Sequence, residues 1–243
     1  MRVQADNLVV PRDGPSGYEL SGASFELRAG ELVGVAAVEG NGERELLRSV
    51  AGLLRPASGR LEVAEPVAFI AEDRSSESLI GDFTLAENVA LMLSRQGDWV
   101  HGPWLDWRQA RSRTAELIAR YEVRASGPLA LAESLSGGNQ QRMVIAAALD
   151  RRPAVIVAEN PTRGLDLKAA AEVQGRLRDA ASVGAAVLFH SSDLDEVMEL
   201  ADRVIVVANG VAAQLAPGAT RTEIGELMVG GVKHDLRAAG RIR

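Results

Sequence analysis

The sequence predicts an α/β fold: a parallel sheet with helices between its strands and a helical unit inserted into it. In the carboxy-terminal half, "AVIVAEN", "AAVLFHSS" and "RVIVVANG" are apolar strand runs separated by the helical "DLKAAAEVQGRLRDAAS" and "DLDEVMELA". That alternation produces a parallel sheet buried on both faces. Towards the amino terminus, short strand signals ("VQADNLVV", "ASFELRAG", "ELVGVAAV", "GRLEV", "VAFI") are broken by Gly/Pro turns, with one helix following a glycine-rich loop. These read as the other half of the same core. Between them, from about Glu72 to Asp150, "TLAENVALML" and "DWRQARSRTAELIARY" place apolar residues three and four apart, the helical period.

The expected division is therefore a core formed by residues 1–72 and 150–218, a helical subdomain over 73–149, and a weakly specified tail over 219–243. With 243 residues and 47% hydrophobic content, the chain can bury a full core. Its formal net charge of −6 argues against nucleic acid as a partner. No apolar run approaches the ~20 residues of a membrane-spanning helix, and "MRVQADNLVV" lacks the pattern of a signal peptide. Cysteine is absent, which excludes disulfides and thiol-ligated metal and fits a cytosolic protein.

The segment "AAVEGNGERELL", Ala36 to Leu47, has the outline of a phosphate-binding loop between a strand and a helix. Ala37, Gly40 and Gly42 fall on the glycine positions of that template, with Asn41 between the last two. Glu43 then stands where the lysine belongs, Arg44 where the Mg²⁺-ligating Ser/Thr belongs, and Glu45 follows. The backbone amides of Val38 to Arg44 and the positive helix end suit an anion. The side chains oppose one, since a unit charge ~4 Å from a phosphate is worth about 4 kcal/mol at an effective dielectric near 20, and Glu43 reverses its sign. Arg44 is expected to offset part of this. The chain's lysines, Lys168 and Lys233, are both remote in sequence from the loop.

A second stretch, "LSGGNQQRMVIAAAL", sets Ser136, Gly137 and Gly138 at the start of an amphipathic helix, followed by Asn139, Gln140 and Gln141. A hydroxyl and several free N–H groups at the positive end of a helix make an anion-binding end.

With these residues in view, the sequence resembles the ATP-binding cassette (ABC) ATPases. "LSGGNQQ" looks like their signature motif. The glycine loop, "AFIAED" at the Q-loop, "VIVAENPTRGLD" at Walker B and the D-loop, and "FHSSDLDE" at the switch region follow in the family's order. The spellings "VEGNGER", "AEDR", "SGGNQQ" and "PTRGLD" are similar to those of the second cassette in tandem ATPases of monosaccharide and nucleoside importers. The resemblance implies a P-loop NTPase fold, with a RecA-like parallel core, an N-terminal antiparallel β part and an inserted helical subdomain. It also implies ATP and Mg²⁺ held between two cassettes paired head to tail, an integral membrane permease as partner, and a place on the cytoplasmic face of the cell membrane. Neither nucleic acid nor direct sugar binding is implied.

Anchored on Pro161-Thr162, the family pattern places Glu159 at the Mg²⁺-organising Asp and Asn160 at the carboxylate that orients the attacking water. Ser192 stands at the switch His, and Glu72 at the Q-loop Gln. Asn cannot act as a base, so these positions predict an own site that turns over poorly and holds no metal, while Ser136, Gly137, Gly138 and Gln140 remain able to complete a partner's ATP site. Asp166 is expected at the cassette interface or as a helix N-cap, and Arg163 across that interface or in the preceding turn. His190 is expected to be a packed strand residue, and Trp99, Trp104 and Trp107 to form local core. The alternative reading is a non-catalytic cytosolic interaction module of the same fold.

Overall fold

The computed structural model describes residues 1–15, 17–93, 100–101, 104–216 and 218–230. In chain order, β1 (Val3–Val10), β2 (Leu20–Leu27) and β3 (Leu32–Ala37) precede helix α1 (Glu43–Val50), then β4 (Ser58–Val63) and β5 (Val67–Ile70). A helical stretch follows with α2 (Arg74–Glu77), α3 (Leu85–Met92), the hairpin strands β6 (Val100–His101) and β7 (Trp104–Leu105), α4 (Trp107–Arg120) and α5 (Gly137–Asp150). The chain continues through β8 (Val155–Glu159), α6 (Leu167–Ser182), β9 (Ala186–His190), α7 (Leu194–Leu200), β10 (Arg203–Ala208), β11 (Val211–Gln214) and α8 (Arg221–Gly230).

The strands form a six-stranded sheet ordered β11-β10-β3-β9-β8-β5 and a separate three-stranded antiparallel sheet ordered β2-β1-β4. In the larger sheet every neighbouring pair is parallel except β10–β11. Strand β3 is buried at every position because it lies between β10 and β9 with layers on both faces, which accounts for its unbroken apolar run. The period of two sorts the strands' side chains between the layers. Val33, Val35, Val157, Leu188 and Val207 pack with α1 and the antiparallel sheet, whereas Ala36, Ile156, Val187, Phe189 and Val206 pack on the other side with α5, α6 and α7. At Gly34 an added Cβ would lie 2.6 Å from Val197 Cγ1, so α7 sits directly on β3 there.

Helix starts follow local chemistry. Thr84 and Glu87 close a capping box at α3, with Glu87 N donating to Thr84 Oγ1 at 3.2 Å and Thr84 N donating back to Glu87 Oε2 at 2.7 Å. Asp106, Asp166 and Asp193 cap α4, α6 and α7.

Two expectations are corrected. Trp104 and Trp107 are not local core: they are 76% and 42% exposed. A hairpin of two-residue strands is too small to bury an indole, and Trp107 is the first residue of α4, outside its packed face; Trp99 lies outside the described residues. Within the tail expected to be weakly specified, residues 221–230 form α8, which docks Ile224, 1% exposed, into the core; residues 231–243 lie outside the described residues. None of the described helices is long and apolar enough to cross a membrane.

Candidate functional site

Strand β3 delivers the chain into the glycine loop, and α1 carries it away. Gly40 (φ 85°) and Gly42 (φ 105°) both adopt left-handed conformations. At Gly42 a Cβ would also approach Gly210 Cα to 3.3 Å, so the tight turn requires glycine there. Gly42 is the N-cap of α1 and offers no side chain to the orphan amides. Glu43, the first residue of the helix, instead folds back over the loop that precedes it. Its Oε1 accepts from Gly40 N and its Oε2 from Asn41 N, each at 2.8 Å. Two amides that the loop would turn towards a bound anion are thus on the protein's own carboxylate, and Glu43 is 5% exposed.

Glu159, at the end of β8, meets a guanidinium. Arg48 donates through Nε to Glu159 Oε1 at 2.9 Å and through Nη2 to Oε2 at 3.1 Å, and it also pairs with Glu77. Arg48 Cζ lies 5.6 Å from the centroid of the Phe69 ring, a cation–π distance. Burial alone would depress the Arg48 pKa, but its hydrogen bonds and charge contacts with Glu159 and Glu77 outweigh that and raise it, so the arginine is permanently charged. Arg44, expected to offset the charge of Glu43, is engaged elsewhere: its Nε donates to Asp13 Oδ2 at 3.1 Å. Glu45 Oε1 accepts from Asp13 N at 2.8 Å, and burial, helped by the carboxylates of Glu43 and Asp13, pushes its pKa up.

The switch and Q-loop positions are bonded to one another. Asn160, at φ 41°, donates through Nδ2 to Glu72 Oε2 at 2.7 Å and accepts through Oδ1 from Ser192 N at 2.7 Å. Glu72 also pairs with Arg163, which therefore closes within this chain. His190 is the packed strand residue expected, 6% exposed, with Nδ1 2.9 Å from Val35 O.

Of the residues singled out in the sequence, Gly40, Glu43, Arg44, Glu45, Glu72, Glu159, Asn160 and the otherwise buried His190 line one cavity of about 520 Å³. Asn41 and Gly42 shape its loop from behind, and Ser192 reaches Asn160 through its backbone. The lining holds the carboxylates of Asp13, Glu39, Glu43, Glu45, Glu72 and Glu159 against the single guanidinium of Arg44. A triphosphate and its divalent cation do not fit these residues. Two of the loop amides, Gly40 and Asn41, are bonded to Glu43, the carboxylate that would hold the metal is bound to Arg48, and the wall sets six carboxylates against one guanidinium. Asp13, Glu39, Arg48 and Glu77 were not identified from the sequence. A signal existed for Arg48, because an arginine inside the apolar run "LLRSV" of a helix has to find a buried carboxylate.

Ser136, Gly137, Gly138 and Gln140 line no part of this cavity. Ser136 is the N-cap of α5, exposed, and spends no side-chain bond on the helix's own amides; it accepts instead from Asn139 Nδ2 at 2.8 Å. Gly138 faces open space, whereas a Cβ at Gly137 would meet Arg74 Nη2 at 2.7 Å. Gln140 donates to Ala132 O at 3.1 Å, and the neighbouring Gln141 donates to Pro161 O at 2.8 Å, which ties α5 to the turn after Asn160. Asp166 caps α6 by accepting from Ala169 N at 2.9 Å, beside Leu167, which is 92% exposed.

Comparison with known proteins gives a consistent picture. The family model described as "ABC transporter" matches residues 20–163. A nucleoside import ATP-binding protein, NupA, of Lactococcus lactis subsp. cremoris is 36% identical over 229 residues, covering 88% of this chain and 45% of that protein. A ribose import ATP-binding protein, RbsA, of Halalkalibacterium halodurans is 35% identical over 207 residues, covering 79% of this chain and 41% of that protein. The chain thus spans less than half the length of these relatives. Among solved structures, a dimeric ATP-binding cassette in a post-hydrolysis state bound to ADP and Pi superposes with a TM-score of 0.72 at 23% identity, covering 86% of this chain and 95% of that one.

Proposed function

The chain belongs to the ABC transporter family, and on that premise we propose that it is the signature-donating, non-hydrolysing cassette of an importer for a sugar or nucleoside. The substrate class follows from the relatives that import nucleosides and ribose. One observation carries the asymmetry: the Gly40 and Asn41 amides of the glycine loop are bonded to Glu43, while Ser136 makes no side-chain bond to the amides at the start of α5.

In this reading the chain pairs head to tail with a second cassette that holds ATP and Mg²⁺. The Ser136 hydroxyl and the N–H groups of Gly137 and Gly138 face the γ-phosphate there, where fixed donors stabilise charge as the phosphoryl group transfers. The exposed Leu167 and the Asp166 cap lie on the surface that meets the partner cassette. A permease on the cytoplasmic face of the membrane receives the pair through the helical subdomain, residues 73–149, which packs on a core formed by 1–72 and 150–218. Neither nucleic acid nor free sugar contacts this chain.

The test is purification of the native gene product from its host under mild detergent. The reading expects an integral membrane permease and a hydrolysing cassette to accompany it in stoichiometric amounts, either in the same polypeptide or as a subunit. Recovery of the chain with soluble partners alone would favour a cytosolic interaction module and overturn the importer.

A further inference from the structure

We infer that this cassette carries its own permanent substitutes for nucleotide and metal: the Glu43 carboxylate is the anion of the glycine loop, and the Arg48 guanidinium is the cation of Glu159. The inference deepens the reading of a non-hydrolysing half and rests on it.

Charge and geometry agree at both positions. A loop whose amides converge at the start of a helix gains by holding a negative group, because the free N–H groups and the helix dipole both favour one. Glu43 supplies that group from the first helical residue, with both oxygens engaged at 2.8 Å. An acidic side chain at the end of β8 needs a positive partner once buried, and Glu159 at 6% exposure has one in Arg48 at 8%. The same helix, α1, thus carries the internal anion and the internal cation, one at its first turn and one further along.

The consequence reaches the rest of the site. Asn160, Glu72, Arg163 and the Ser192 amide close a hydrogen-bonded chain without any ligand. Groups that in a working site would report on a γ-phosphate have only each other to bind. This half of the cassette is held in one state throughout a transport cycle, and nucleotide enters and leaves only at the partner's half. The remaining space of about 520 Å³ stays closed to ligands bearing a phosphate chain for as long as Glu43 is in place.

The experiment titrates inorganic pyrophosphate, without divalent metal, into the wild-type protein, Glu43→Ala and Glu43→Gln, and follows binding heat together with thermal stability. Glu43→Ala removes the adjacent like charge and frees both amides, and should bind pyrophosphate roughly a thousandfold more tightly than wild type. Glu43→Gln removes the same charge but keeps a side chain over the amides of Gly40 and Asn41, so it should gain affinity as well, by a smaller factor. Equal affinity in wild type and Glu43→Ala would overturn the inference. Should the variants fail to fold, amide hydrogen exchange of the ligand-free wild type decides. The Gly40 amide, whose partner is Glu43, should be protected as bonded amides are, and exchange there as fast as in an open loop would overturn it. Neither readout involves hydrolysis, so a wild-type protein that hydrolysed Mg-ATP would refute the non-hydrolysing reading separately.

Discussion

Arg48 grips both oxygens of Glu159, Nε to Oε1 at 2.9 Å and Nη2 to Oε2 at 3.1 Å, across the boundary between α1 and the end of β8. Bidentate pairing of this kind is strong because both charges are nearly out of water and the planar fork matches the carboxylate. Cutting one partner away strands the other. Arg48→Met should therefore destabilise the fold by about 3–5 kcal/mol, and Glu159→Gln in the same chain should recover part of that loss by removing the stranded charge. Urea unfolding of the single and double variants gives the coupling directly. Independent, additive effects would mean that the pair is not the contact described.

The isolated chain should hydrolyse Mg-ATP no faster than a protein-free blank. Catalysis of phosphoryl transfer is positioning and electrostatics, and here Glu43 occupies the Gly40 and Asn41 amides and Asn160 offers no carboxylate. Glu43→Lys should improve nucleotide binding far more than turnover, since Asn160 and Ser192 are unchanged. Full activity from that one substitution, measured by phosphate release on a homogeneous preparation, would contradict the placement of Asn160.

Gln141 is 2% exposed, donates to Pro161 O at 2.8 Å, and its Oε1 is a buried acceptor without a partner. Gln141→Ala leaves the Pro161 carbonyl unpaired and opens a cavity beneath α5, so it should cost about 1–3 kcal/mol. Gln141→Met should cost less, because it fills the space and removes the unpaired oxygen. Thermal unfolding of the two variants side by side checks the order.

Glu45 supplies a pH dependence whose sign is fixed. Burial, helped by the carboxylates of Glu43 and Asp13, raises its folded pKa above 4.5, so the folded state binds the proton more readily than the unfolded chain. The favourable contribution is complete below pH 4.5 and is lost as pH rises through the raised folded value. Wild type should thus lose stability relative to Glu45→Gln between mildly acidic and neutral pH. Denaturation midpoints that keep a constant difference across that range would show that Glu45 does not titrate abnormally.

Much of this was legible in the sequence because it rested on periodicity and glycine. "VAFI" and "VQADNLVV" match β5 and β1 to the residue, since flanking Gly/Pro turns and unbroken or alternating apolar patterns bound each strand. The N-cap reading of Asp166 matches the start of α6, as capping is local chemistry. The short β11 and the hairpin β6–β7 lacked such signals, being too brief for a period to show. Glu43 was visible as a charge reversal, but its two bonds to the loop were not, because they depend on the side chain folding back by three residues. Arg48, Glu77 and Asp13 come from distant segments and meet only through the packing of α1 against β8. The exposed Trp104 misled because aromatic clustering in sequence says nothing about whether enough structure surrounds it.

The most direct test of the division into a working half and a self-filled half compares Ser136→Arg with Glu43→Ala, each in a complex with a hydrolysis-competent partner cassette, by steady-state ATPase rate. Ser136 is exposed at the start of α5, so arginine there leaves the fold intact while it fills the space a partner's γ-phosphate would need. Collapse of turnover in Ser136→Arg, with Glu43→Ala changing it little, is the predicted result. A silent Ser136→Arg alongside a Glu43→Ala that abolishes turnover would contradict the account and reverse the two halves.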